Sequence, residues 1–178
     1  LWAVGEENLF LTRDSAGFVL PQLRETPSLS SGGLRLIAVR QGPGSEAPEM
    51  DERVDAALGD GLVLLGYDHL SSPDGLHLTL YWQAAEVPGA DYAVSVRPTA
   101  NGELLFHEGQ LVQEDHAHPV WGYYPMSRWV PGEVVRDDYL VSVPPGVGYN
   151  GAAVVVYQAT EDGFEDLGTV SLNLGASP

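Results

Sequence analysis

The sequence contains no cysteine and no lysine. The first absence rules out disulfides, thiolate metal sites and cysteine nucleophiles, but it leaves the compartment open because many exported proteins lack cysteine too. The second leaves positive charge to Arg13, Arg24, Arg35, Arg40, Arg53, Arg97, Arg128 and Arg136, set against 25 acids. A net charge of −17 repels phosphate backbones and anionic headgroups, which argues against nucleic acid and membrane surfaces as partners. Also missing is any apolar run of about 18 residues, and no basic segment leads into an apolar one, so neither a spanning helix nor a signal peptide is expected. The chain opens on Leu1 and not on methionine, which reads as a piece of a longer protein. If that parent is membrane-bound, its spans lie outside this piece.

A chain of 178 residues is long enough to bury a core, and one domain with extensions is expected. Residues 8–23 (NLFLTRDSAGFVLPQL) read as two short strands around the turn Asp14-Ser15-Ala16-Gly17. Residues 26–33 (TPSLSSGG) lack periodicity and read as a linker, so residues 1–33 form a hairpin and linker, expected to be the tail of a preceding domain. Residues 34–178 are then the main domain, opening with a strand in LRLIAVR. Residues 49–58 (EMDERVDAAL) carry the one helical pattern: Met50, Val54, Ala57 and Leu58 fall on a single helix face, with acids opposite.

From Leu62 onward the pattern is strand and turn. LVLLGY reads as a short apolar strand. In LHLTLYWQ, Leu76, Leu78, Leu80 and Trp82 face one way and His77, Thr79, Tyr81 and Gln83 the other, so the first set should be core. Tyr92, Val94 and Val96 alternate in the next strand, and Asn101-Gly102 is a hairpin turn that wants positive φ at both residues. Residues 109–121 read as irregular. Pro131-Gly132 is turn chemistry, leading into a strand on which Tyr139, Val141 and Val143 share the buried side. AAVVVYQ and residues 167–174 complete about nine short strands at roughly 8 to 12 residue spacing. The expected fold is therefore all-β, an antiparallel β-sandwich with one short surface helix, a closed barrel being the alternative.

With the strands laid out, five blocks carry a resemblance: LLGYD, LTLYWQA, DYAVSV, YPMSRWVPGEVVRDDYLVSVPPG and AAVVVYQ. Their order and spacing resemble the soluble C-terminal β-sandwich of bacterial multi-pass membrane glycosyltransferases, the mannosyltransferase-like proteins of Chloroflexus-type bacteria. The likeness begins at Leu62, and residues 1–61 match poorly. Arg97-Pro98 and Gln158-Ala159 depart from the family's frame. In that family the catalytic acids lie in the membrane portion. The resemblance thus implies an extracytoplasmic accessory domain without its own chemistry or cofactor, whose partners are glycan or the membrane-embedded catalytic portion of the parent.

Trp121, Tyr123, Tyr124 and Trp129 cluster within one short run, and sugar faces are apolar enough to stack on exposed rings, so these four are the candidate ligand-binding residues. The competing reading is that they fill the core, as large aromatics mostly do. Glu114, Asp115, His116 and His118 are ligand types for zinc, needing a further ligand such as His107 or His77, but two histidines so close in a loop are more often solvated. Glu161, Asp162, Glu165 and Asp166, or Asp137 with Asp138, could hold calcium, yet they fit no spaced ligand loop and read as solvated turns. No nucleophile elbow surrounds any serine, and neither glycine-rich stretch has the setting of a phosphate loop. Three functions are left to compare: a glycan-binding accessory domain, a structural or protein-interaction module, and a stand-alone glycan hydrolase, which would need a pocket with two carboxylates.

Overall fold

The computed structural model describes residues 49–72, 75–160 and 163–175 in full, and before them the backbone of four strands. The chain divides into two units, Leu1–Pro48 and Glu49–Pro178. In the first, β1 (Trp2–Val4), β2 (Glu7–Arg13), β3 (Leu29–Ser31) and β4 (Leu34–Arg40) form an antiparallel sheet in the order β1-β2-β4-β3. LRLIAVR is a strand as expected, but it pairs with β2 and so lies in the first unit. Part of the expected linker is strand as well, since Leu29 to Ser31 pair with β4. The turn at Asp14 and the second half of the expected hairpin lie outside the described residues.

The second unit is an all-β sandwich of two antiparallel sheets over one hydrophobic core. One sheet has the order β13-β7-β6-β5, from β5 (Glu52–Ala57), β6 (Leu62–Ser72), β7 (Gly75–Ala84) and β13 (Val134–Val141). The other has the order β12-β8-β14-β15, from β8 (Ala93–Ala100), β12 (Glu114–His116), β14 (Gly151–Thr160) and β15 (Gly163–Asn173), with β9 (Glu103–Leu104) also paired to β8. A small ribbon of β10 (Phe106–His107) and β11 (Gln110–Leu111) stands apart.

The alternation in β7 does what its period dictates. Leu76, Leu78, Leu80 and Trp82 are at most 1% exposed, and they meet Val94, Val96, Val154 and Val156 of the opposite sheet in a shared core. Burying each such side chain is worth about 1.5–3 kcal/mol. The outward face of β7 is also covered at its centre, where Tyr81 donates to Asp68 (2.6 Å) and Thr79 to Asp138 (2.6 Å). Arg136 closes this outer network on Asp138 at 2.9 Å. Both expected turns form: Asn101 and Gly102 have φ of 53° and 85°, and Glu133 N–H bonds Val130 C=O around Pro131-Gly132.

The helix expected over residues 49–58 is not formed. Residues 52–57 are the edge strand β5, with a bulge between Arg53 and Ala56 where Asp55 has φ 48°. Met50, Val54 and Leu58 are four apart, a spacing that shares one face in a strand as well as in a helix. The choice between periods fell to Ala56 or Ala57, which are chemically identical. It is Ala56 that turns inward with Val54 and Leu58, half-buried, while Ala57 is exposed.

Candidate functional site

The site lies where the stretch read as irregular crosses from one sheet to the other. β12 pairs with β8, His116 opposite Val94, and this turns the His116 ring inward, 6% exposed. On β13, Asp137 stands opposite Leu80 and so also points into the core, fully buried. A carboxylate there needs donors to replace water. It has three: Tyr139 Oη (2.6 Å), the Val120 backbone N–H (2.8 Å) and His116 Nδ1 (3.3 Å). The His116 ring lies between two others, stacked on Tyr139 at 4.1 Å and tilted against Trp121 at 5.1 Å. Its Nε2 is buried without a partner among the described residues. Burial, then the Asp137 charge, drives the Tyr139 hydroxyl well above its ordinary pKa.

Above this cluster sits a single helical turn, α1 (Pro119–Gly122), in which Val120 (φ 56°, ψ 56°) and Trp121 (φ 57°, ψ 33°) are left-handed. Gly122 follows at φ 82°. Left-handed backbone costs an L-residue about 1–2 kcal/mol, most for a β-branched side chain such as valine. The turn is held by bonds from Gly122 N–H to His118 C=O, from Tyr124 N–H to Pro119 C=O, and from Val120 N–H to Asp137. The buried carboxylate thus reaches through the sheet end to fix a strained surface turn.

The four candidate aromatics separate. Tyr123 is 53% exposed and Trp121 36%. Tyr124 is half-buried, its hydroxyl donating to Glu133 (2.7 Å). Trp129 is 1% exposed, a core residue whose indole N–H meets the Tyr124 carbonyl at 3.3 Å. Trp121 and Tyr123 therefore face solvent while Trp129 anchors the segment beneath them. Burial pushes Glu133 above the usual carboxylate range against its two hydrogen bonds, from Tyr124 and from the Val130 N–H. Nearby, Asp91 accepts the Ser127 N–H at the single turn Met126–Arg128. Burial works against its charge, but the Ser127 hydroxyl and amide and the charges of His118 and Arg128 outweigh it, holding the pKa low.

The metal and calcium candidates gain no common centre. Among the described residues no group of three His, Asp or Glu side chains is placed to hold an ion. The solvated reading is nonetheless wrong for several of them. His116, Asp137 and Asp138 are buried, because they belong to strands β12 and β13 and not to turns. His107 lies 4.0 Å from Glu108, and Glu165 and Asp166 are exposed on β15; Glu161 and Asp162 lie outside the described residues. The inward Asp137 was legible in one respect, since it continues by two the buried side marked by Tyr139, Val141 and Val143.

No family model, curated protein or solved structure matches the chain. No helix among the described residues is long and apolar enough to cross a membrane.

Proposed function

We propose that the second unit is a non-catalytic recognition domain that presents Trp121 and Tyr123 to a glycan, as an extracytoplasmic accessory part of a larger membrane glycosyltransferase-like protein. The observation that carries the reading is the left-handed Val120-Trp121 pair, locked from below by Asp137. Strained backbone of this kind persists where the surroundings over-determine it, and it clusters at functional sites. Here the strain lifts a tryptophan to the surface from a rigid core, in place of burying it like Trp82 and Trp129. A pre-positioned ring loses little entropy on stacking against a sugar face. The membrane context rests on the five sequence blocks alone.

A structural or interaction module is the second reading, and Phe164 (76% exposed), Leu70 (64%) and Phe106 (62%) favour it. The two readings part on a titration of the full chain with neutral oligosaccharides, followed by tryptophan fluorescence. Glycan recognition predicts a saturable change that Trp121→Ala and Tyr123→Ala each weaken about tenfold or more while the thermal midpoint moves little. Absence of any response at millimolar sugar, or a loss of binding that merely tracks unfolding, would leave the interaction module.

A further inference from the structure

The outward face of the β12-β8-β14-β15 sheet holds a cavity of about 600 Å3, in the size range of small-molecule sites. The strand register lays out its walls. Arg97, Ala153 and Ser171 stand side by side, flanked by Thr99, Gly151 and Asn173 on one side and Ser95, Val155 and Thr169 on the other. The middle strand therefore supplies a floor of short side chains, and its neighbours supply polar walls. Gly151 is required there, because a Cβ would come within 2.7 Å of Thr99 Oγ1 and the Leu172 carbonyl. The hairpin tip at Asn101 and Asn150, tied together by two hydrogen bonds, closes one end.

Two features distinguish this trough from an ordinary wet sheet face. Arg97 donates Nε to Ser95 Oγ (2.9 Å), yet among the described residues its terminal nitrogens make no hydrogen bond or ion pair, in a chain with 25 acids. The lining also mixes that guanidinium with one carboxylate, Asp166, and with amides and hydroxyls. Asp166 and the net charge of −17 oppose an anion, and Arg97 opposes a cation. A ligand that is donor and acceptor at every polar atom, with no charge of its own, matches such a wall, and that is the character of hydroxyl groups.

We infer that this trough is a binding site for a neutral oligosaccharide laid along β14, with Arg97 its principal donor. It shares a ligand class with the function proposed above but no residue, so each can fail alone. The test is a set of amide nitrogen–proton correlation spectra of the full chain, titrated with mannotetraose, cellotetraose and maltotetraose, and with trigalacturonate as the acidic probe. The expected result is saturable shifts at Arg97, Ala153 and Ser171 with at least one neutral probe. Ala153→Leu, which fills the floor, and Arg97→Ala should each weaken them about tenfold or more, and Arg97→Lys should restore part of the loss. Trp121→Ala should leave them unchanged. The inference is overturned if no trough amide moves at millimolar neutral sugar, if only trigalacturonate moves them, if Ala153→Leu binds like the parent, or if Trp121→Ala abolishes the shifts. Each variant's own spectrum reports its folding, and Ala153→Leu decides should Arg97→Ala unfold.

Discussion

Asp137 is the residue on which the most rests. Its two oxygens satisfy a phenol, an imidazole and a backbone amide, and all are withdrawn from water. Removing the carboxylate strands every one of those donors, so Asp137→Ala should cost about 3–5 kcal/mol. Tyr139→Phe takes away only one charge-assisted bond and should cost about 1.5–3 kcal/mol. Urea denaturation at unchanged m-value is the measurement. An Asp137→Ala midpoint equal to that of Tyr139→Phe would mean the carboxylate does not hold the Val120 turn. The sequence marked Asp137 by parity and then let acidity overrule it, because a strand aspartate with neighbouring aspartate and arginine looks like a surface turn. Burial was decided by donors arriving from β12 and the turn above it, more than fifteen positions away in sequence, and no local pattern carries that information.

At the scale of elements, two glycines separate space from backbone conformation. Gly75 opens β7 at φ 132°, and a Cβ there would sit 2.1 Å from the Val141 carbonyl oxygen. Gly132 has φ 83° with nothing within 4 Å. Gly75→Ala should therefore cost about 2–4 kcal/mol and Gly132→Ala only about 1 kcal/mol, by thermal unfolding. Equal costs would show that the Gly75 contact relaxes freely. The elements themselves were largely readable: β7, β8 and β13 announce themselves by alternation, β14 by an unbroken apolar run, and Asn101-Gly102 by its turn chemistry. The failures share a cause. Around β5, Val54 and Leu58 fall at a spacing that helix and strand share, and β9, β10, β11 and β12 are two or three residues each, so in neither case does a period decide. That is why the candidate site was legible only as a list of residue types: its geometry depends on β12 and on the left-handed Val120-Trp121 turn.

For the molecule as a whole, the acids give stability a pH profile with a definite sign. Burial raises Glu133 and Asp138, the latter against Arg136 and Thr79. A raised folded pKa contributes stability that is fully present below the unfolded value and is lost as pH climbs through the folded one. Asp91 is lowered, so its contribution is present above the unfolded value and disappears as pH falls through the folded one. The thermal midpoint should therefore rise as pH falls from neutral towards the ordinary carboxylate values at about pH 4, and fall again at lower pH. Tyr139 and Tyr81, both raised chiefly by burial, add a loss of stability as pH climbs past about 10. A midpoint highest at pH 7 to 8 would contradict this.

The bond from the Tyr67 hydroxyl to the Asn173 carbonyl joins the two sheets across 106 positions of chain, and Asn150 meets Asn101 across 49. Closing loops of that length costs entropy before the contacts that reward them exist, so the sandwich is expected to close after hairpins such as β6–β7 and β14–β15 have formed. In a chain with both sheets still open, a net charge of −17 would oppose the meeting of apolar faces from different molecules.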